Sequence, residues 1–125
     1  MYGSPCSGKT SWVSEVANPD DLIVDVDRIW ECICQSDRYH KPNRLKSNVF
    51  GIRDLLIDQI KTRTGNWRNA FVIGGYALGS DRDRLCDLLR ARPIFIDTDK
   101  ETCLSRAKDE NWKKYIQDWF DTYTE

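Results

Sequence analysis

Apolar and polar residues follow one another along the chain in blocks that predict an α/β fold. Three short apolar runs are candidate strands: LIVDVD at residues 22–27, NAFVIGG at 69–75 and PIFID at 93–97. Runs of this length are typical of strands buried on both faces of a parallel sheet. Segments of helical length separate them, which favours a parallel sheet flanked by helices.

Start and stop signals predict the helices. The first is expected at Lys9–Val16 and a short one at residues 28–34. Ser47 is a candidate cap for a longer helix that runs to about Thr64, with Gly65 just past its end. Ser80 and Asp83 have the spacing of a capping box before the helical segment DRDRLCDLLRA.

The last helical segment carries an aromatic stripe. NWKKYIQDWFDTY has apolar residues at 112, 115, 116, 119, 120 and 123, the spacing of a one-sided helix. The aromatic rings could stack nucleic-acid bases, but a stripe at helical period is more often core. We therefore expect a helix that closes the core.

Length and composition bound the class of protein. The 125 residues fit a single domain, and 19 Lys and Arg against 20 Asp and Glu leave a net charge of −1. That balance does not suit a protein that coats long nucleic acid, so any nucleic-acid contact is expected to be local. The sequence shows neither a membrane span nor a signal peptide, which indicates a cytoplasmic protein without a membrane partner.

Cysteine spacing gives little support for a metal centre. The five cysteines are odd in number, and the pair Cys32 and Cys34 is not joined by a second pair or by more than one histidine. A zinc site there is the less favoured interpretation, and free thiols are the preferred one. Cys6 is a separate case, because a neighbouring helix N-terminus could make its thiol oxidisable.

The stretch GSPCSGKT matches the phosphate-loop pattern G-x-x-x-x-G-K-[ST] at every fixed position. Glycines at both ends let the backbone curl so that its N–H groups face a polyphosphate. The loop is therefore predicted to bind ATP through the residues Gly3, Ser4, Pro5, Cys6, Ser7, Gly8, Lys9 and Thr10. Lys9 would contact the β- and γ-phosphates, and the Thr10 hydroxyl would bind Mg²⁺. A chance match is the alternative.

Two carboxylates follow the next predicted strand. Asp25 and Asp27 stand at its carboxyl end, where open α/β sheets bind ligands. The later strand FVIGG ends in glycines, whereas a hydrolysing ATPase or GTPase usually has a Mg²⁺-binding acid at the end of such a strand. This arrangement favours a kinase in which Asp27 accepts the proton of an attacking hydroxyl and Asp25 assists Mg²⁺. Asp27 is nearly as well explained as a helix N-cap, and one residue can do both.

A basic segment lies directly after the helix that follows Asp27. Six residues in it are cationic or aromatic: Arg38, Tyr39, His40, Lys41, Arg44 and Lys46. A solvated polar loop explains them without function. Their position beside the predicted acceptor site also suits binding of a phosphate-bearing acceptor, with Arg28, Arg38, Lys41 and Arg44 as candidate contacts.

Taken together, these motifs resemble the kinase domain of bacteriophage-type polynucleotide kinases and related phage AAA-like P-loop proteins. The resemblance runs through GSPCSGKTSWVSE, LIVDVDRIW, DRYHKPNRLKSNV, FVIGGYALGSDRDRL and IFIDTDKETCLSRA. It implies a P-loop NTPase-type fold, with Lys9 and Thr10 binding ATP and Mg²⁺ and Asp27 as the catalytic acid. It also implies that Arg106 acts in a lid over the nucleotide.

The chain departs from that pattern in three places. Trp30 stands where the family usually has an arginine that holds the acceptor's phosphate, and Arg28 is the nearest substitute. The third strand of the pattern ends in Gly74 and Gly75 instead of an acid, and the lid region is short. The resemblance therefore supports nucleotide binding more strongly than it supports a nucleic-acid acceptor.

The loop begins after only two residues, where a P-loop protein needs its first, central strand. One hypothesis is that the chain is shortened at its N-terminus and lacks a strand of about five residues. The alternatives are a sheet with one strand fewer, or a sheet completed by another chain through strand addition.

Three functions remain open from the sequence. The leading prediction is an ATP-dependent phosphotransferase that acts on a 5'-hydroxyl nucleic-acid end or a nucleotide. The second is a phage ATP-binding or weakly hydrolysing accessory protein that works through a partner. The third is a degenerate fold in which the loop survives without activity.

Overall fold

The computed structural model describes residues 1–35 and 41–125. Within them the fold is α/β, with a two-stranded parallel sheet and helices beside it. The chain divides into two compact units. Unit 1 comprises residues 1–17 and 74–125, and unit 2 comprises the continuous segment 18–73. In the part of the chain that is described, no helix has the length and apolar character needed to cross a membrane.

The parallel sheet belongs to unit 2. Its strands are β1 (Leu22–Asp25) and β2 (Ala70–Ile73), paired in parallel from Leu22 opposite Ala70 to Asp25 opposite Ile73. The helices α2 (Val26–Ile33) and α3 (Lys46–Lys61) complete the unit, and α3 contacts both α2 and β1. The parallel pairing predicted from the apolar runs is confirmed.

The first strand ends two residues earlier than the sequence pattern indicates. Asp25 is the N-cap of α2, because its Oδ1 accepts a hydrogen bond from the Asp27 backbone N–H at 3.0 Å. Asp27 consequently lies in the first turn of the helix, and α2 starts at Val26 instead of residue 28. The interpretation of Asp27 as the N-cap is wrong; the neighbouring aspartate has that role.

Helix α3 also has different ends from those predicted. A short 3₁₀-helix, Asn43–Leu45, leads directly into it, so Ser47 lies inside the helix and does not cap it. At the other end Arg63 adopts the left-handed conformation with φ 59°, and Thr64 N–H returns to the Gln59 carbonyl. This Schellman-type ending stops the helix at Lys61, before Gly65 is reached.

Unit 2 packs around one apolar cluster. Ile29, Trp30 and Val49 are buried at its centre, and Ile52 and Leu56 lie against them. At the start of the sheet the Asp21 carboxylate accepts hydrogen bonds from the backbone N–H groups of Asn18 and Asn69. These bonds, the Asn18 bond first, lower the pKa of Asp21 below its ordinary value of 3.8.

Unit 1 contains four helices. They are α1 (Lys9–Val16), α4 (Gly79–Leu89), α5 (Lys100–Arg106) and α6 (Glu110–Thr122). The bounds predicted for α1 are confirmed. Helix α4 starts at Gly79 without a side-chain cap from Leu78, and the Gly79 N–H donates instead to the Thr124 hydroxyl at 2.7 Å. The capping box predicted from Ser80 and Asp83 is therefore wrong.

Tyr2 lies between two segments of unit 1. It forms parallel bridges to Gly74 on one side and to Phe95 on the other. Its N–H donates to the Ile94 carbonyl and its carbonyl accepts from the Ile96 N–H, both at 2.9 Å. The PIFID segment is thus held by a single bridge and is not a strand, because the chain turns away into the loop at Gly3.

An aromatic cluster fills unit 1. The Tyr2 ring stacks on Phe95 with centroids 4.8 Å apart, and Tyr123 stacks on both Phe95 and Trp119. The Trp119 indole N–H donates to the Gly75 carbonyl at 3.0 Å. The core interpretation of the α6 stripe is confirmed for Ile116 and Trp119, which are buried, whereas the Tyr115 side chain is exposed.

Arg82 is buried beside this cluster. Its guanidinium donates hydrogen bonds to the carbonyls of Tyr76, Ala77 and Thr124. It also lies over the rings of Tyr2 and Tyr123, at 4.4 and 5.3 Å from their centroids. The side chain therefore ties the start of unit 1 to its last residues.

Candidate functional site

The loop from Gly3 to Thr10 lies in unit 1 and leads into α1. Gly8 is the N-cap of this helix, in the left-handed region with φ 104°, and Cys6 has φ 64°. A hydrogen bond from Ser7 N–H to the Ser4 carbonyl, 3.1 Å long, closes the turn. The N-terminal end of α1 carries the partial positive charge that favours an anion.

Lys9 reaches back across this loop. Its Nζ donates to the Gly3 carbonyl at 2.9 Å and to the Ser4 carbonyl at 2.7 Å. The ammonium group is thereby held at the loop by backbone atoms, in the first turn of α1. A cation fixed in this way is arranged to meet a polyphosphate without a large side-chain movement.

Two side chains from the last third of the sequence donate hydrogen bonds to backbone carbonyls of the loop. Thr98 Oγ1 donates to the Ser7 carbonyl at 2.7 Å, and Arg106 Nη1 donates to the Cys6 carbonyl at 3.1 Å. Arg106 belongs to α5 and comes within 3.9 Å of the position that a Gly8 Cβ would occupy. The structure therefore brings Arg106 to the predicted phosphate loop.

One buried hydroxyl in the loop lacks a partner. Ser7 Oγ is buried, and no described group forms a hydrogen bond with it. A buried polar atom left in this state costs about 1–3 kcal/mol. Its place within a loop of backbone N–H groups and a lysine fits a site for phosphate oxygens.

The predicted acid lies in unit 2. Asp27 is half-buried, and its Oδ1 forms an ion pair with Lys41 Nζ at 2.6 Å. Asp25 is buried and uses Oδ1 for the cap of α2. The structure thus brings together Asp27 and Lys41, the predicted base and one predicted acceptor contact.

The other predicted acceptor contacts are separate. Arg28 is exposed on α2, and Arg44 is exposed in the 3₁₀-helix. Arg38 lies outside the described residues. Trp30, at the position where the family pattern has an arginine, is buried in the core of unit 2 and supplies no polar group beyond its indole N–H.

Magnesium was predicted at Thr10 and Asp25. Thr10 stands in the first turn of α1, in unit 1, and Asp25 caps α2, in unit 2. In the described ranges no group of three or more His, Cys, Asp or Glu could hold a metal ion. A nucleotide-bound Mg²⁺ takes most of its ligands from phosphate and water, so a hydroxyl such as that of Thr10 fits this kind of site.

The sequence patterns did not reveal two residues that shape unit 1. Thr98 directly follows the predicted strand PIFID at residues 93–97, and nothing in its spacing marks it as a partner of the loop. Arg82 carried a usable signal. It shares a helical stripe with Leu85, Cys86 and Leu89, and a charge on such a stripe indicates a buried, fully bonded arginine.

No protein-family model matches the chain, no curated protein is similar enough to count as a relative, and no solved structure matches it. Functional assignment therefore rests on the geometry of the loop and of the Asp27 region.

Proposed function

We propose that the chain is an ATP-dependent phosphotransferase with a P-loop NTPase-type phosphate site in the loop Gly3–Thr10. The observation that carries this proposal is the Lys9 ammonium, held on the Gly3 and Ser4 carbonyls at the start of α1. The motif, the left-handed Gly8 and the helix N-terminus support the same chemistry.

The residues of unit 1 would bind and orient the nucleotide. Lys9 and the loop N–H groups would hold the phosphates, and the Thr10 hydroxyl would hold Mg²⁺, which when bound supplies charge neutralisation between phosphate oxygens. Arg106 is the candidate lid residue. Its guanidinium already contacts the loop at the Cys6 carbonyl and would exchange this oxygen for a phosphate oxygen.

Asp27 is proposed as the general base. Its carboxylate is accessible enough to meet an acceptor hydroxyl, and its ion pair with Lys41 is the contact that the acceptor would share or replace. Lys41, Arg28 and Arg44 are the described cations that would contact a phosphate-bearing acceptor, such as a 5'-hydroxyl nucleic-acid end or a nucleotide.

Transfer of label tests the proposal directly. The protein would be incubated with Mg²⁺ and γ-labelled ATP, with and without a 5'-hydroxyl oligonucleotide or a nucleotide. We expect label on one acceptor, and a loss of roughly 10²-fold or more in Lys9→Ala. Lys113→Ala is the matched control, because Lys113 is an exposed lysine of α6 that pairs with Glu110 on the same helix. Failure of the wild type to bind ATP would contradict the proposal.

Asp27→Asn tests the base. We expect ATP affinity to persist while transfer falls by roughly 10²-fold or more, since an amide cannot accept the hydroxyl proton. Asp54→Asn is the control, an exposed aspartate in an ion pair with Arg53. Equal losses of binding and transfer in Asp27→Asn would assign Asp27 a structural role.

A second candidate is an ATP-binding or weakly hydrolysing accessory protein that acts through a partner. It is favoured by the burial of Trp30 at the expected acceptor-arginine position and by the direct pairing of Asp27 with Lys41. In the same assay this function predicts bound ATP with label that stays in ATP or is released as phosphate, whatever acceptor is added.

A further inference from the structure

A hydroxyl group from a distant part of the sequence donates a hydrogen bond to a backbone carbonyl of the loop Gly3–Thr10. Thr98 Oγ1 donates to the Ser7 carbonyl at 2.7 Å, across 91 residues of chain. Ser7 is buried and Thr98 is partly buried, so water competes weakly for this bond.

Thr98 is itself fixed on both sides of its backbone. Its N–H donates to the Ile96 carbonyl at 3.1 Å, and its carbonyl accepts a weak hydrogen bond from the Cys103 thiol at 3.7 Å. The Ile96 carbonyl lies only 2.9 Å from where a Gly3 Cβ would be. The segment that carries Thr98 therefore packs directly on the loop.

Because of peptide geometry, the bond from Thr98 to the Ser7 carbonyl also sets the direction of the next N–H group. In a planar trans peptide the C=O and N–H groups point in opposite directions. When the Ser7 carbonyl points at Thr98, the N–H of Gly8 in the same peptide points away from Thr98. This N–H is the one at the N-cap of α1, next to Lys9.

We propose that Thr98 is a positioning residue, which holds the Ser7–Gly8 peptide so that the Gly8 N–H faces the bound phosphate. This proposal rests on the phosphate site proposed above. In this role Thr98 acts through its bond to the Ser7 carbonyl. Its hydroxyl fixes one peptide that would otherwise be able to rotate, because Gly8 tolerates many backbone conformations.

The test compares two substitutions at one position. Thr98→Val keeps the shape of the side chain and removes the donor, whereas Thr98→Ser restores the donor. Thr102→Val is the matched control. The Thr102 hydroxyl bonds Asp99 at the start of α5, so its loss disturbs that helix end without removing a bond to the loop.

Two readouts are needed. The first is the Gly8 amide resonance of the free, ¹⁵N-labelled protein, which reports the orientation of the peptide without any ligand. The second is the dissociation constant for ATP with Mg²⁺. We expect Thr98→Val to shift or broaden the Gly8 resonance and to weaken ATP binding about tenfold, and Thr98→Ser and Thr102→Val to stay within about twofold of the wild type.

The outcomes separate this proposal from the function on which it rests. An unchanged Gly8 resonance in Thr98→Val, or unchanged ATP affinity in a wild type that binds ATP, would overturn the role of Thr98 and leave the phosphate site standing. A wild type that binds no ATP would overturn the phosphate site and this role in phosphate binding together. The Gly8 resonance would then still show whether Thr98 orients the peptide.

Discussion

The two glycines of the loop are required for different physical reasons. A Cβ at Gly3 would lie 2.9 Å from both the Ile96 carbonyl oxygen and Ser7 Oγ, so this position is short of space. At Gly8 the nearest atom to such a Cβ is Arg106 Nη1 at 3.9 Å, so space is available and only the left-handed φ of 104° restricts the residue.

We predict that Gly3→Ala lowers the unfolding midpoint and abolishes ATP binding. The added methyl group would meet a backbone carbonyl, and a backbone atom cannot move aside as a flexible side chain can. Thermal unfolding and ATP titration measure the two effects.

Gly51→Ala is the contrasting control. Gly51 lies in the middle of α3, is exposed, and would have no atom within 4 Å of an added Cβ. We expect alanine there to stabilise the protein by roughly 0.5–1 kcal/mol through helix propensity, with ATP binding unchanged. A destabilised Gly51→Ala protein would contradict the described environment of α3.

Among the elements, α5 begins with an aspartate cap that makes two hydrogen bonds. The Asp99 carboxylate accepts hydrogen bonds from the Thr102 hydroxyl and from the Thr102 N–H. These bonds, the side-chain bond first, hold the pKa of Asp99 below its ordinary value of 3.8. A lowered folded-state pKa means that the carboxylate contributes stability above the unfolded-state value and loses it as the pH falls through the lower, folded-state value.

We therefore predict that acidification below pH 3.8 destabilises the wild type more than it destabilises Asp99→Ala. The Asp21 carboxylate acts with the same sign, so the slope should decrease in the variant without vanishing. Unfolding midpoints of both proteins across this pH range measure the difference. Parallel curves would contradict a role for the charged cap.

The presence of the helices could be predicted more reliably than the presence of the strands or the exact ends of either kind of element. The loop motif predicted the start of α1, because the motif's second glycine and its lysine stand directly at the beginning of a helix. The PIFID run did not become a strand, because strand formation depends on a partner that its own residues do not encode. The C-terminal end of α3 comes earlier than predicted because Arg63, two residues before Gly65, already adopts the left-handed conformation that ends the helix.

The candidate site was predictable where it is local in sequence. Lys9 and Gly8 follow from the motif, and Arg106 follows from the family resemblance. The sequence placed Asp27 and Lys41 at the same acceptor site, but it did not predict that they form an ion pair. The Thr98 bond spans 91 residues and depends on tertiary packing, so no spacing rule could reveal it.

At the scale of the whole molecule, the two units are built differently. Unit 2 is one continuous segment, whereas unit 1 joins two segments from opposite ends of the chain. Arg82 connects these two segments, because its guanidinium donates a hydrogen bond to the Thr124 carbonyl and lies over the Tyr2 ring. Its charge is matched by carbonyl oxygens and aromatic rings in the described contacts.

We predict that Arg82→Met destabilises the protein by about 3 kcal/mol, because buried carbonyls lose a charged donor. Arg84→Met is the matched control on the same helix, where the side chain is 81% exposed and pairs with Asp81. Its effect should stay below about 0.5 kcal/mol. Chemical denaturation of both variants measures the difference, and equal losses would remove the special role of Arg82.

Burial of one tryptophan in each unit has an optical consequence. Trp119 is buried in unit 1 and Trp30 in unit 2, at 7% and 4% exposure. Indole fluorescence shifts to longer wavelength when the ring enters water. A protein in which four of the five tryptophans are replaced, so that only Trp30 or only Trp119 remains, therefore emits from a single unit. The pair of single-tryptophan proteins would show whether the two units melt at one temperature, and which of them responds when ATP is added.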